Sequence, residues 1–270
     1  DLTGKDWTPI GTDYDNSYKG TFDGGGHTIT GLTFTTNDEY AGLFGHLNSA
    51  GTVKNVVMEG IQITSNQIYG GSIGGVVGFS WGTIENCTVS GSVSGTVYVG
   101  GVVGAQWGGS ITGCSSSATV KGMVYVGGVV GQTNGNTITL TACYATGNVI
   151  IEIAPKKNIA GGGLVGMNAG SSLLACYATG NVTSTGSSTG YVHIGGFLGN
   201  NYANVMTACY WKNNHEQGIG YNKKSTEATK VDGTGVTWKN AVDAMNTALQ
   251  NAGSKWRYEL NGALPTLRKQ

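Results

Sequence analysis

Acidic side chains are almost missing from the middle of this sequence. Between Asn86 and His215 there is one, Glu152. Glycoside hydrolysis uses two carboxyl groups about 5–9.5 Å apart, and this stretch offers no such pair. Glu59 and Glu85 fall at different places in the pattern described below, and they read as solvated surface acids. A Ca²⁺-dependent lyase needs several acids and a basic residue, yet both arginines, Arg257 and Arg268, lie near the C-terminus. Charged residues are 11% of the chain and the formal net charge is zero, so nothing favours nucleic acid or an anionic membrane. No apolar run reaches the length of a bilayer-spanning helix.

Other shortages exclude other chemistry. His27, His46, His193 and His215 are the only histidines and they are scattered. His215-Glu216 begins like a zinc-protease motif, but Gly218 and Ile219 follow, with no second histidine. No G-x-S-x-G elbow surrounds a serine. There is no C-x-x-C pair to suggest zinc. The chain starts at Asp1 without a Met or a leader, which reads as a trimmed chain whose native N-terminus lies upstream.

Glycine, by contrast, is abundant at 48 residues against 3 prolines. It shows no three-residue period, which excludes collagen. With 39% hydrophobic residues and no net charge, the chain is not of the disordered class either. Each glycine in a strand costs about 0.5–1 kcal/mol relative to alanine, so this many imply repeated tight corners or close backbone approach.

The glycines are organised. Gly74-Gly75-Val76-Val77-Gly78 recurs at Gly100–Gly104 and Gly127–Gly131. Variants stand at Ala41–Gly45, Gly162–Gly166 and Gly195–Gly199. Six copies spaced by 26 to 35 residues define a repeat protein. Cys87, Cys114, Cys143, Cys176 and Cys209 each follow the second glycine of a repeat by 12 to 15 residues, and Val56 takes that place in the first. A position that accepts Cys or Val is a small apolar interior position, so a column of buried free thiols is preferred to disulfides. Three residues earlier stand Val53, Ile84, Ile111, Leu140, Leu173 and Met206. Six residues later stand Val93, Val120, Val149 and Val182, with Gln62 in the first repeat.

A unit of about 27 residues with two or three short β-rich stretches cannot bury its apolar side alone. Stacking successive units about 4.8 Å apart buries like residues on like. The expectation is an all-β, right-handed parallel β-helix, a solenoid of about six to seven coils, with a small C-terminal α/β cap. A propeller is the competing repeat fold, but its blades need about 40 residues. Residues 1–212 are assigned to the Gly-rich β-helix and 213–270 to the capping segment. That segment has a helix near 238–251, capped by Thr237, and a strand near 256–260. The insertions 151–158 and 184–189 are expected to bulge as loops.

Gly42-Leu43-Phe44-Gly45 and Gly163-Leu164-Val165-Gly166, with the lead-in Thr21-Phe22-Asp23-Gly24-Gly25-Gly26-His27-Thr28-Ile29, resemble GLUG-motif repeats. The resemblance covers about residues 20–212, and Gly262–Leu267 looks like a common ending of such proteins. The family includes bacterial, often Bacteroides-type, cell-surface proteins: filamentous-haemagglutinin-like adhesins and proteins carrying the name immunoglobulin A peptidase. The resemblance implies a secreted or cell-surface location. It implies adhesion, spacing, or binding of a host glycan, glycoprotein or another surface protein. No catalytic residue, cofactor or metal belongs to the motif, and none is expected here. The alternative is part of a secreted surface enzyme, immunoglobulin A peptidase-like or polysaccharide-degrading, whose catalytic residues lie elsewhere.

For binding, Trp81 and Trp107 each fall six residues after their second glycine, and Tyr202 takes the same place in the last repeat. In stacked coils the two indoles would lie one above the other, as a ligand-stacking platform or as a seal over the corner, the seal being the commoner use. Tyr98 and Tyr125 align in the same way.

Overall fold

The computed structural model describes residues 1–155, 157–202, 205–224 and 226–270. The chain is an all-β parallel solenoid of about six turns. One coil shows the plan. Thr83–Glu85 runs along a first sheet, Thr88–Ser94 along a second, Tyr98–Gly100 along a third and Val103–Gln106 along a fourth. Each strand pairs in parallel with its counterparts in the coils before and after, so the sheets hold seven, twelve, six and seven strands.

The pairing puts like on like. Phe22, Val53, Ile84, Ile111, Leu140, Leu173 and Met206 form one inward row of the first sheet. Val93, Val120, Val149 and Val182 form another, in the second. The first-coil member of that second row is Ile63, and not the expected Gln62. A bulge shifts the register by one residue between Val89 and Gly91, because the first coil has one residue more there. Each buried Val, Leu or Ile contributes roughly 1.5–3 kcal/mol, and repetition of these rows is what offsets the glycine cost.

The glycines of the repeat serve close approach. A Cβ on Gly74 would stand 2.6 Å from the Val102 carbonyl oxygen of the next coil, one on Gly75 2.5 Å from Gly101 oxygen, and one on Gly78 2.6 Å from Ser72 oxygen. The third and fourth sheets therefore meet at a bend too tight for any side chain, with Val76 and Val77 filling its inside.

All five cysteines are free and buried. Each follows a corner residue with a left-handed backbone: Asn86 (φ 52°), Gly113 (66°), Ala142 (54°), Ala175 (52°) and Ala208 (50°), with Asn55 (55°) before Val56. The corner residue changes with what covers it. Where the corner is open, the Asn86 side-chain amide donates to Asn55 Oδ1 and Asn55 donates to Asp23 Oδ1, both at 2.8 Å. Where the C-terminal segment lies over it, the corner is Gly or Ala.

That segment packs along the flank of the solenoid. Its helix, Trp238–Asn251, is held by a capping box between Thr237 and Asn240. Trp238, Ala241, Val242, Met245 and Leu249, with Trp256 and Tyr258 of the hairpin, cluster on Ala142, Ala175, Tyr177 and Tyr210. The Tyr177 hydroxyl donates to Pro265 oxygen at 2.5 Å and that of Tyr258 to Ala175 oxygen at 3.0 Å. The open end meets something else: solenoid pairing continues past residue 212 through Ile219–Asn222 and Thr229–Lys230. The two insertions do not begin as loops. Ile151, Glu152 and Ile153 pair with Ser184, Thr185 and Gly186, widening the second sheet, and the chain departs only beyond them. Lys156, at the expected tip of the first insertion, lies outside the described residues.

Candidate ligand-binding groove

The bend between the third and fourth sheets is tight on the inside and creates a re-entrant angle on the outside. Two outward rows line it. From the third sheet come Tyr40, Ser72, Tyr98, Tyr125, Ala160 and His193, in register coil by coil. From the fourth come His46, Phe79, Ala105, Gln132, Met167, Asn200 and Tyr221. The rows touch. Tyr40 lies 5.4 Å from both His46 and Phe79 between ring centroids. His193 Nδ1 and Asn200 Oδ1 are 2.6 Å apart. In the second and third coils a large residue of one row stands opposite a small one of the other, Phe79 opposite Ser72 and Tyr98 opposite Ala105.

At the N-terminal end the groove is packed shut. His46 is 2% exposed and stacks on Phe79 at 5.1 Å and 20°. Its Nδ1 has no hydrogen-bond partner among the described residues. Burial pushes its pKa down, opposed by the charges of Asp13 and Glu39. In the middle, Tyr98 and Tyr125 stack at 5.6 Å, and burial raises both phenols, so they stay protonated.

Trp81 and Trp107 are brought together beside this track, with centroids 5.9 Å apart, but at 74°, edge to face and not one above the other as expected. Both are half-buried, and Trp107 also packs on Phe79 at 5.2 Å. Trp81, with Tyr14, Asn48 and Ser49, lines a depression of about 190 Å³. Tyr202 is not part of this pair. Two coils stand between it and Trp107, and it contacts Tyr221 at 5.8 Å.

The C-terminal end of the groove is open. Tyr191, His193, Tyr202 and Tyr221 line a depression of about 330 Å³. His193 lies 4.9 Å from Tyr221 and 5.9 Å from Tyr191, all three rings within 18° of parallel to their neighbour. Tyr191 is 71% and Tyr221 39% exposed. A second depression of about 310 Å³, lined by Asn136, Met167, Ala169, Gly170 and Tyr202, shares Tyr202 with the first. Of these four residues only Tyr202 stood out in the sequence as a stacking candidate. The cluster's signal was there: His193 occupies the place of Tyr98 and Tyr125, and Tyr191 lies two residues before it on the same side of the strand.

Two of the carboxylates considered above are ion-paired. Glu152 pairs with Lys121 of the adjacent coil at 2.8 Å, and Glu85 with Lys269 of the hairpin at 2.6 Å. Among the described residues, no three His, Cys, Asp or Glu side chains form a group that could hold a metal ion. No helix among them is long and apolar enough to cross a membrane.

Fold and groove together define a parallel β-solenoid of Gly-rich repeats. Two consecutive segments, residues 69–94 and 95–121, match the family model of the GLUG motif. A stretch of 102 residues is 41% identical to Halomucin of Haloquadratum walsbyi, covering 37% of this chain and 1% of that protein. Over 92 residues the chain is 36% identical to a "putative Gly-rich membrane protein" of Evansella cellulosilytica, covering 33% of this chain and 10% of that one. The chain thus matches only a small part of these relatives' length. Among solved structures, a "putative immunoglobulin A1 protease" from Bacteroides ovatus superposes with a TM-score of 0.70 at 20% identity, over 99% of this chain and 83% of that one. At that identity the likeness is one of fold.

Proposed function

We propose that this chain is a non-enzymatic repeat module, displayed on a cell surface or secreted, that binds a partner through the outer groove between its third and fourth sheets. One observation carries the reading. Both rows of this track carry rings, from Tyr40, Phe79, Tyr98 and Tyr125 to His193 and Tyr221, and Tyr191 and Tyr221 at its end are open to solvent. Rings with a polar edge supply contact area at low conformational cost. In this reading the binding solenoid takes in residues 1–212 and the pairing strands Ile219–Asn222 and Thr229–Lys230, the helix and hairpin from Trp238 onward seal its flank, and Trp81, Trp107 and Tyr202 are contacts along the track. The Evansella relative bears the name of a membrane protein, which supports a surface location.

The second reading is a piece of a surface peptidase whose catalytic residues lie in other parts of a longer protein. The likeness to the B. ovatus structure favours it. Incubation of the protein with immunoglobulin A separates the two. Co-elution of intact antibody, reduced by Trp81→Ala with Trp107→Ala, supports the module. Fragments cut at a defined site, absent from a heat-denatured control, establish the peptidase.

A further inference from the structure

We infer that the bowl formed by Tyr191, His193, Tyr202 and Tyr221 is a subsite for a neutral glycan, seating a sugar ring in the last coils of the groove. The inference rests on the partner-binding reading above and narrows it to a ligand class.

Four features select a sugar. First, Tyr191 and Tyr221 stay exposed while stacked on His193, and clustered exposed rings mark binding surfaces. Second, the two depressions of about 330 and 310 Å³ meet at Tyr202. The Tyr202 ring bounds both, and each is within the size range of small-molecule sites. Third, among the described residues no acid lines either depression. The Lys223 Nζ lies over the Tyr202 ring at 5.5 Å. A basic peptide finds no counter-charge here. Fourth, the chemistry is mixed in the way a sugar is mixed. Aromatic surface accepts its C–H face, while phenol hydroxyls and the Asn136 amide can exchange hydrogen bonds with its hydroxyls. The His193–Asn200 bond fixes one ring before any ligand arrives, which lowers the ordering cost of binding. A peptide added as a strand would instead use backbone at a free sheet edge, whereas the four residues of the bowl all carry aromatic rings.

The test is a titration of the intact chain with neutral hexasaccharides of cellulose, xylan, mannan and chitin, followed by NMR of labelled histidine rings. The His193 signal is identified by its loss in His193→Gln. At least one oligosaccharide should shift it saturably. Tyr191→Ala and Tyr221→Ala should each weaken binding about two- to tenfold. Both side chains are exposed, so thermal melts of the variants should match the parent; Tyr191, the more exposed, remains the test if Tyr221→Ala loses stability. The absence of a His193 shift with every oligosaccharide overturns the inference. So does binding that both tyrosine variants leave unchanged. If the double indole variant abolishes binding while the tyrosine variants do not, the bowl is discarded and the groove reading survives.

Discussion

The indole of Trp256 occupies the space where Gly113 has no side chain: a Cβ added to Gly113 would run into Cζ2 and Cε2 of that ring. The hairpin is thereby keyed to one coil. Gly113 also holds a left-handed backbone (φ 66°), but Ala142 and Ala175 hold the same conformation with a Cβ, so the ring is the stricter demand.

Gly113→Ala should therefore destabilise the protein by about 2–3 kcal/mol, combining the left-handed penalty of an L-residue with overpacking. In a Trp256→Ala background the same change should cost only about 1 kcal/mol. Urea denaturation of the four proteins of this cycle measures the coupling. Equal costs in both backgrounds would show that the indole does not select the glycine.

The glycines of the bend make a sharper contrast. Gly75→Ala places a Cβ 2.5 Å from a carbonyl of the next coil, and should cost roughly 3 kcal/mol. Gly262→Ala meets nothing within 4 Å, and should be neutral or stabilising by about 0.4–1 kcal/mol through the unfolded chain. Melting temperatures of the two variants decide this; similar losses would mean the bend is looser than described.

His46 predicts a pH dependence. Burial holds its native pKa below the unfolded value of about 6.5. Below pH 6.5 the unfolded chain then binds more protons than the native one, so stability falls as pH drops through the interval down to the native pKa. Above 6.5 this contribution is fully present. His46→Phe keeps the ring stacked on Phe79 and removes the titration, so its stability should vary less between pH 7 and 5. An unchanged slope would assign the acid sensitivity to other groups.

The thiol column should be inert while the protein is folded. Burial pushes the Cys114 and Cys176 thiols well up, and none of the five is exposed. Reaction with a thiol reagent should track global unfolding. Rapid labelling of the native protein would show that the column breathes. On sequence alone, Cys143→Ser would bury an unpaired hydroxyl. The structure supplies acceptors, since Cys143 Sγ lies 3.3 Å from Thr141 oxygen and 3.5 Å from Ile111 oxygen. The serine should keep a partner and cost about 1 kcal/mol or less, chiefly in packing.

The repeat spacing of glycine and cysteine determined the parallel stack by itself. Identical residues at a fixed offset must superpose when each coil pairs with the next, and the Ile84–Ile111–Leu140 row follows from that alone. The helix at Trp238–Asn251 was equally legible, because its apolar spacing and its Thr237 cap are local. A polar interior row was readable and passed over: Thr133, Asn168 and Asn201 stand five residues after their second glycines. They are linked by bonds of 2.8 Å from Thr133 to Asn168 and 3.1 Å from Asn168 to Asn201.

What the tertiary structure decided is everything that depends on direction across the coil. Only the bend at Gly100–Gly104 turns the Tyr98 row toward the Ala105 row, because the turn angle is set by backbone approach that no side-chain pattern encodes. Only packing against Tyr177 and Ala175 sends the C-terminal helix to the flank, since those partners lie more than 60 residues away in the chain. The open bowl at Tyr191 and Tyr221 belongs to this second kind. Its four rings come from three separate stretches of sequence, and the last coil's position is what gathers them.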